Sequence, residues 1–517
     1  MFVQNDWKFS PTLTLNLGLR YEHFAPFHNK GAALNLPVLG SGANALITPS
    51  LTPHNNFFNS DYTGFEPKFG FAWTPVAFNN KTVIRGGFSR ALNRLNFSTL
   101  DNAVEDGPGV FSYGLCYATN TTPGSTNSLA YTGIQYLIGS SNSPTSFPAN
   151  PALKTTIVNG LPVNSSGVPI GIEVYGALPT TKMPYAYLYS FEVQHQLPAR
   201  IVLTLGYQGS EAHHLPRLVN QNYLYAQPSG GAPQIFNAAY FLQTDSNSNY
   251  NALNIHGAKQ MQHGFQIDAI YTYSKSLDQV SNGFGADSLA NQTNPAYNST
   301  EWGPSDYDVR NRLTVSGIWS IPGTKGGNEI VKTLTNGWQI NGIFTVHTGF
   351  PFTPVSYNQA SNPYVTNAAS ISPTRPYAYL GGFVSSCSNQ NFISGADVAN
   401  TSFQLTAPTG QIYRPGIGRN SFQGPCYKDT DMSFAREQKF TLQNHTITAR
   451  FQANLFNVFN EENLLPFQNG NAGGPAQIVD ALPDSVAGGT TRATSSYGKP
   501  TGTDSGRIVE FFARVQF

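Results

Sequence analysis

Residues 13 to 22 read Leu13-Thr14-Leu15-Asn16-Leu17-Gly18-Leu19-Arg20-Tyr21-Glu22. Up to Tyr21 every odd position is apolar, and every even one is polar or glycine. Successive side chains of an extended strand point to opposite faces, so the stretch reads as a strand with one greasy face and one wet face. The pattern returns along the chain. Phe65, Phe69, Phe71 and Trp73 alternate with Glu66, Lys68, Gly70 and Thr74. Tyr185, Tyr187, Tyr189, Phe191 and Val193 alternate with Ala186, Ser190, Glu192 and Gln194, and Ile447, Ala449, Phe451, Ala453 and Leu455 with Thr446, Thr448, Arg450, Gln452 and Asn454. Segments of about 10 to 14 residues are long enough to cross a bilayer at a tilt, whereas strands of soluble domains average about 5 to 6.

The segments come in pairs. Ser10-Pro11, the Asn79-Asn80 region, Leu197 to Arg200 and Gln262-His263-Gly264 are short connections that make their flanking strands antiparallel neighbours. Between pairs lie long stretches rich in Gly, Pro, Ser and Asn: 27–63, 94–183, 211–249, 278–306, 351–428 and 461–504. Loops beyond about 15 residues are uncommon in compact soluble domains. Short turns at one end and long loops at the other are the asymmetry of an outer-membrane barrel.

Composition agrees. Of 517 residues only 11% are charged, and 29 Lys+Arg nearly balance 28 Asp+Glu; an ordinary soluble domain carries about 25% charge. A net charge of +1 excludes bulk attraction to nucleic acid, which needs a basic stripe. No run approaches the roughly 18 apolar residues of a spanning helix. The alternation alone also fits a soluble sandwich, whose half-buried strands alternate too. Aromatic residues near the strand ends (Tyr21, Trp73, Tyr185, Trp319 and Phe517) fit membrane-interface girdles better.

The expected fold is therefore all-β, an antiparallel transmembrane β-barrel in one domain spanning residues 1–517. About thirteen strands are expected, near 1–8, 12–26, 64–75, 81–93, 184–197, 200–211, 250–261, 264–277, 308–322, 336–350, 429–439, 444–459 and 505–517. Bacterial single-chain barrels have an even number of strands with both ends periplasmic. An odd count, and an N-terminus without basic or apolar leader segments, lead us to expect the C-terminal part of a larger barrel.

Several segments carry a family resemblance. Phe2-Val3-Gln4-Asn5-Asp6-Trp7-Lys8 followed by Leu13 to Glu22, Gly206-Tyr207-Gln208-Gly209-Ser210 with His214-Leu215, and Tyr271 to Ser276 resemble strands of a TonB-dependent receptor. So do Asn336 to Gly342 with Gly349 to Phe352, and Phe456-Asn457-Val458-Phe459-Asn460. The resemblance is to the Oar-like group of acidobacteria, which carries a carboxypeptidase-regulatory-like domain. It implies a Gram-negative outer-membrane location and a 22-stranded barrel around a plug. It also implies contact with TonB through the N-terminal part that this chain lacks. The final segment puts Val509, Phe511, Ala513, Val515 and Phe517 on one face, similar to the C-terminal strand that the barrel assembly machinery reads.

Candidate chemistry is sparse. His213-His214 lacks a third metal ligand. The pairs Asp306/Asp308 and Asp429/Asp431 lack the glycine turn and following glutamate of a calcium loop and are expected as strand-entry residues in water. Glu461-Glu462 are adjacent, and on a strand adjacent residues would point to opposite faces. No nucleophile elbow or phosphate loop occurs, so neither an enzyme nor a cofactor is expected. Arg20, Arg85, Glu192, Asp268, Arg450, Glu510 and Arg514 fall on the wet face and are expected to line a lumen, most of them paired across neighbouring strands. Cys387 and Cys426 share one expected outer loop, where an oxidising compartment favours a bond. Tyr, Asn, Gln and Ser in the long loops suit a sugar or peptide ligand. The reading is thus a receptor barrel taking up a nutrient, set against a secreted adhesin or carbohydrate-binding protein and against a passive porin-like channel. A soluble adhesin would pack its apolar strand faces against each other; a barrel would leave them bare.

Overall fold

A computed structural model describes residues 1–27, 34–38, 50–54, 56–95, 156–158, 161–163, 173–220, 238–281, 298–299, 301–354, 378–379, 403–404, 417–442, 445–465, 477–478 and 502–516. Thirteen strands form one continuous antiparallel path in chain order. They are β1 (Phe2–Ser10), β2 (Leu13–Tyr21), β3 (Phe65–Trp73), β4 (Thr82–Leu92), β5 (Tyr185–Leu197), β6 (Ile201–Asn220) and β7 (Ala238–Gln262). They continue as β8 (Phe265–Asp278), β9 (Asn311–Ser320), β10 (Trp338–His347), β11 (Tyr427–Leu442), β12 (His445–Phe456) and β13 (Ile508–Gln516). All thirteen expected strands are present. Among the described residues β1 and β13 each have a neighbour on one side only, so the sheet is open. Because the count is odd, these two edges run in the same direction.

The hairpin turns explain themselves locally. Asn79 and Asn80 (φ 51° and 59°), and His263 and Gly264 (φ 52° and 77°), hold consecutive left-handed residues. That backbone twist matches the right-handed twist of paired strands. Ala199 and Arg200 (φ 60° and 58°) do the same without glycine or asparagine, a conformation disfavoured for residues with a Cβ. In the Gly206–Ser210 motif, Gly209 faces Tyr189, and a Cβ at Gly209 would collide with the tyrosine ring. The glycine lets the ring lie flat across the neighbouring strand.

Register fixes the two faces. Leu13, Leu15, Leu17, Leu19 and Tyr21 of β2 stand opposite Trp73, Phe71, Phe69, Pro67 and Phe65 of β3. Further on, Leu205 faces Val193 and Ile255, and Phe451 faces Arg436 and Ala513. This greasy face is uncovered: Leu205 is 49% exposed and Phe451 62%. The cluster of buried hydrophobics sits instead at the long-loop end, where Phe57, Phe58, Leu95, Met183, Leu218 and Leu242 pack together. A soluble sandwich would bury the apolar faces between sheets; here they stay bare while polar groups share the opposite side.

Two of the expected long loops carry strands. The stretch 211–249 is not a single loop, because β6 continues to Asn220 and β7 begins at Ala238. The two strands project beyond the wall through register shifts around Ala212, Leu215 and Arg217, which blur the alternation. A parallel strand, Glu173–Ala177, joins the projection from within the expected 94–183 loop. The connection between β9 and β10 carries a helix, α1 (Glu329–Thr335); its two turns are too short for a helical period to stand out. Finally, Cys426 is disulfide-bonded, and its partner lies outside the described residues, as do Cys116, Cys387 and Phe517.

Candidate functional site

The wet face is one continuous surface. From β1 onward, Asp6, Asn16 and Gly70 fall in one row, followed by Gly87, Ser190, Gln208, Ala252 and Ser274. Arg20, Arg85, Glu192, Asp268, Arg450, Glu510 and Arg514 all lie on this face, because each stands opposite a member of the polar set. Arg85 faces Glu192 directly, and their side chains are 3.4 Å apart. Arg20 contacts Glu22 and stands 3.8 Å from Glu66. His256 Nε2 lies 2.8 Å from the Asp268 carboxylate.

The remaining three depart from the expected pairing. Arg450 stands between Glu437 and Arg514, yet it donates along its own strand to Gln452 at 3.2 and 3.0 Å. Among the described residues Glu510 and Arg514 have no ion-pair partner. They lie on β13, whose far side is an open edge.

Two cavities open on this face. One of about 740 Å³ lies over β1 to β7, lined by Asn16, Lys68, Ser190, Gln208 and Tyr250 among others. The second, about 660 Å³, lies toward the long-loop end over β6 to β11. Its wall includes His347 and Tyr427, stacked at 4.9 Å with their rings 11° apart, together with Phe350 and Tyr307. Arg312, Asp429, Asp431, Thr345 and Ser274 add polar groups. Aromatic faces beside donors and acceptors of both signs can stack on a ligand and fix its orientation. The His347–Tyr427 pair escaped sequence reading because the two residues are far apart in the chain and meet only through the β10–β11 register.

Above this cavity sits a buried polar clasp. Arg419 is 2% exposed. It donates to the Glu301 and Asp278 carbonyls at 2.9 and 2.7 Å, to Ser281 Oγ at 3.1 Å and to the Asp306 carboxylate at 3.3 Å. Its shortest contact is with the Asp278 carboxylate. Asn420 donates from Nδ2 to Asp306 at 2.6 Å and to the Pro304 carbonyl at 2.8 Å. Burial raises the Asp306 carboxyl above its ordinary value, and Arg419 opposes the shift. Asp308 accepts from the Ser276 amide at 2.6 Å. Asp306 and Asp308 are therefore buried ties between connections, not residues standing in water. Among the described residues no group of three or more His, Cys, Asp or Glu could hold a metal.

His213 and His214 fall in the stretch 211–249, which reads as a loop in the sequence, but they do not lie in one. They lie within β6, where His213 Nδ1 contacts Asn247 Oδ1 at 2.9 Å and His214 adopts φ 57° at the register shift. In the Phe456–Asn460 motif, Asn457 turns the chain at φ 49°. Its amide donates to Asp431 at 2.9 Å, and its side chain bridges the amide and carbonyl of Glu461 at 2.7 and 2.9 Å. The motif thereby ties the outer end of β12 back to β11.

The sequence profile of the outer membrane beta barrel domain matches residues 1–510. The chain belongs to that family. The barrel domain's location is accordingly the cell outer membrane, and its bare apolar face meets lipid. No curated protein matches the sequence. Among solved structures, the barrel domain is similar to the outer membrane transporter YddB from Escherichia coli, at 11% identity over 90% of this chain and 41% of that one, with a TM-score of 0.42. It is also similar to a mutant of the ferric enterobactin receptor PfeA from Pseudomonas aeruginosa, at 11% identity over 99% and 44% of the two chains and a TM-score of 0.41. The ferric-catecholate import receptor Fiu from Escherichia coli follows at 10% identity, 90% and 40% coverage and a TM-score of 0.37. The chain thus spans about two fifths of the length of these proteins.

Proposed function

We propose that the barrel domain is a C-terminal portion of a TonB-dependent receptor of the Oar-like group, which binds a small nutrient and admits it through the lumen. The observation that carries this reading is the pairing of a bare apolar face with a mainly polar opposite face over thirteen strands, with a ligand-sized cavity at its long-loop end. On this reading Arg20, Arg85, Glu192, Asp268, Arg450, Glu510 and Arg514 line the lumen. Nine further strands would complete a 22-stranded barrel, an odd number that lets both open edges be sealed by antiparallel pairing. Coupling to TonB belongs to the N-terminal part of such a receptor. Phe511, 85% exposed on the edge strand, and Val515 offer the face that the assembly machinery would read together with Phe517.

The ligand is an oligosaccharide or a peptide, bound and translocated without chemical change. Asp429 and Asp431 in the cavity wall oppose an anionic ligand, and the stacked His347 and Tyr427 rings offer a platform for a sugar face or a peptide side chain. Binding of neutral oligosaccharide and peptide libraries to the detergent-solubilised chain tests this. Tyr427→Ala should weaken the best ligand at least about tenfold, the scale of a lost stacking contact of about 1.4 kcal/mol. A chain that is monodisperse without detergent would defeat the barrel reading, and a Tyr427→Ala variant that binds like the parent would defeat the assignment of the cavity.

A further inference from the structure

Helix α1 interrupts the short-turn rim, where the other connections are tight. Asn328 caps it, accepting from the Val331 amide at 2.9 Å. Its apolar side chains point away from the protein: Ile330 is 68% exposed and Leu334 60%, and at i, i+4 they stack on one face. Val331 is exposed beside them. A helix that turns its apolar residues outward needs a covering.

The tether shows where that covering lies. Trp338, the first residue of β10, donates from its indole to the Leu334 carbonyl at 2.9 Å. Arg436 of β11 faces Trp338 across the ladder, stands 5.4 Å over its ring and binds the Thr333 carbonyl. Trp338 shares the bare apolar face, since the next residue on its side, Ile340, faces Trp319 and Phe434. The helix is therefore fastened to the lipid side of the wall, at its rim. Tryptophan and arginine together at such a level suit the boundary between acyl chains and headgroups. Lys325, exposed in the turn before the helix, adds a cation at headgroup level. At the same rim the turn Val76–Phe78 also bares Val76 and Phe78.

We infer that α1 is a phospholipid-binding anchor: it lies in the periplasmic interface of the outer membrane, with Ile330, Val331 and Leu334 among the acyl chains and Lys325 and Arg436 at the phosphates. Interfacial helices of this kind bury their apolar face about 5–10 Å into the headgroup boundary. The inference rests on the barrel reading, and its test separates the two. Benzophenone side chains are placed singly at Ile330, Leu334, Trp319 on the apolar wall, and Asn341 on the polar face. The full chain is then irradiated in phosphatidylethanolamine–phosphatidylglycerol vesicles and adducts are identified by mass spectrometry. Phospholipid adducts at 330 and 334 matching the yield at 319, with loss of adducts at 341, are expected. Adducts at 319 without any at 330 and 334, or crosslinks from the helix to protein instead of lipid, would overturn the anchor while leaving the barrel standing. Absence of adducts at all four positions would remove the barrel reading and the anchor with it.

Discussion

The wall and the clasp at its long-loop end are built on opposite principles. In the wall, apolar side chains such as Leu205 and Phe451 are bare and the charges of Arg85 and Glu192 sit in the open. In the clasp, Arg419, Asp278 and Glu301 are almost wholly buried, as are Phe352 and Phe422 beside them. The wall is held by its backbone ladders and by lipid, so individual polar side chains matter little to it. The clasp lies outside the lipid and has only two-residue ladders, Leu277–Asp278 with Gly303–Pro304 and Pro351–Phe352 with Phe422–Gln423. It joins connections 113 to 141 positions apart in the chain through a charge network that must be complete, because an unpaired charge left in such a site is costly.

The largest effect is expected at the clasp. Arg419→Met should cost about 3–5 kcal/mol, the penalty for breaking a buried pair while leaving its partner charged. Limited proteolysis should then cut the connection 279–310 while wall peptides stay protected; unchanged protection would show that Arg419 does not hold the connection. A charge on the wrong face of the wall comes next. Leu205→Arg should destabilise by about 2–4 kcal/mol and Thr204→Arg, one residue away on the other face, by far less. Urea unfolding in vesicles reads the difference, and equal losses would mean that the faces are misassigned. Smaller still is the Arg85–Glu192 pair, for which a double-mutant cycle with Arg85→Ala and Glu192→Ala should give a coupling of about 0.2–1 kcal/mol.

The smallest effect concerns pH. Folding raises the Asp306 carboxyl, so the closed clasp keeps this proton over a range where the released connection has lost it. The closed state's advantage from this group is complete below the ordinary carboxylate value and is lost as pH rises through the raised one. Protease resistance of 279–310 should therefore decline across that window, and Asp306→Asn should flatten the decline; a resistance that grows with pH would reverse the assignment.

Legibility in the sequence follows the same division. The wall was readable because a two-residue period repeats its message: a face assigned at Leu13 is confirmed at every second residue to Tyr21, and the short turns then dictate the neighbours. The same period puts Arg20, Arg85, Glu192, Asp268, Arg450, Glu510 and Arg514 on one side of their strands, and the ladders bring those sides together. The clasp was not readable, since nothing periodic links Arg419 to Asp278, and Asp306 looked like any acidic residue before a strand. Helix α1 left a faint trace in Asn328, Ile330, Val331 and Leu334, a cap followed by apolar residues at helical spacing. The projecting ends of β6 and β7 lost theirs where the register shifts.

The common direction of β1 and β13 bears on self-association. Two copies inserted the same way up present edges that all descend together, whichever edge meets whichever. Any zippering between them would be parallel, a pairing that no two wall neighbours use and one slightly less stable per residue than the antiparallel ladder. An exposed edge is ordinarily an invitation to aggregate. Here the odd number of strands along the path withholds the better, antiparallel fit from a second copy inserted the same way up.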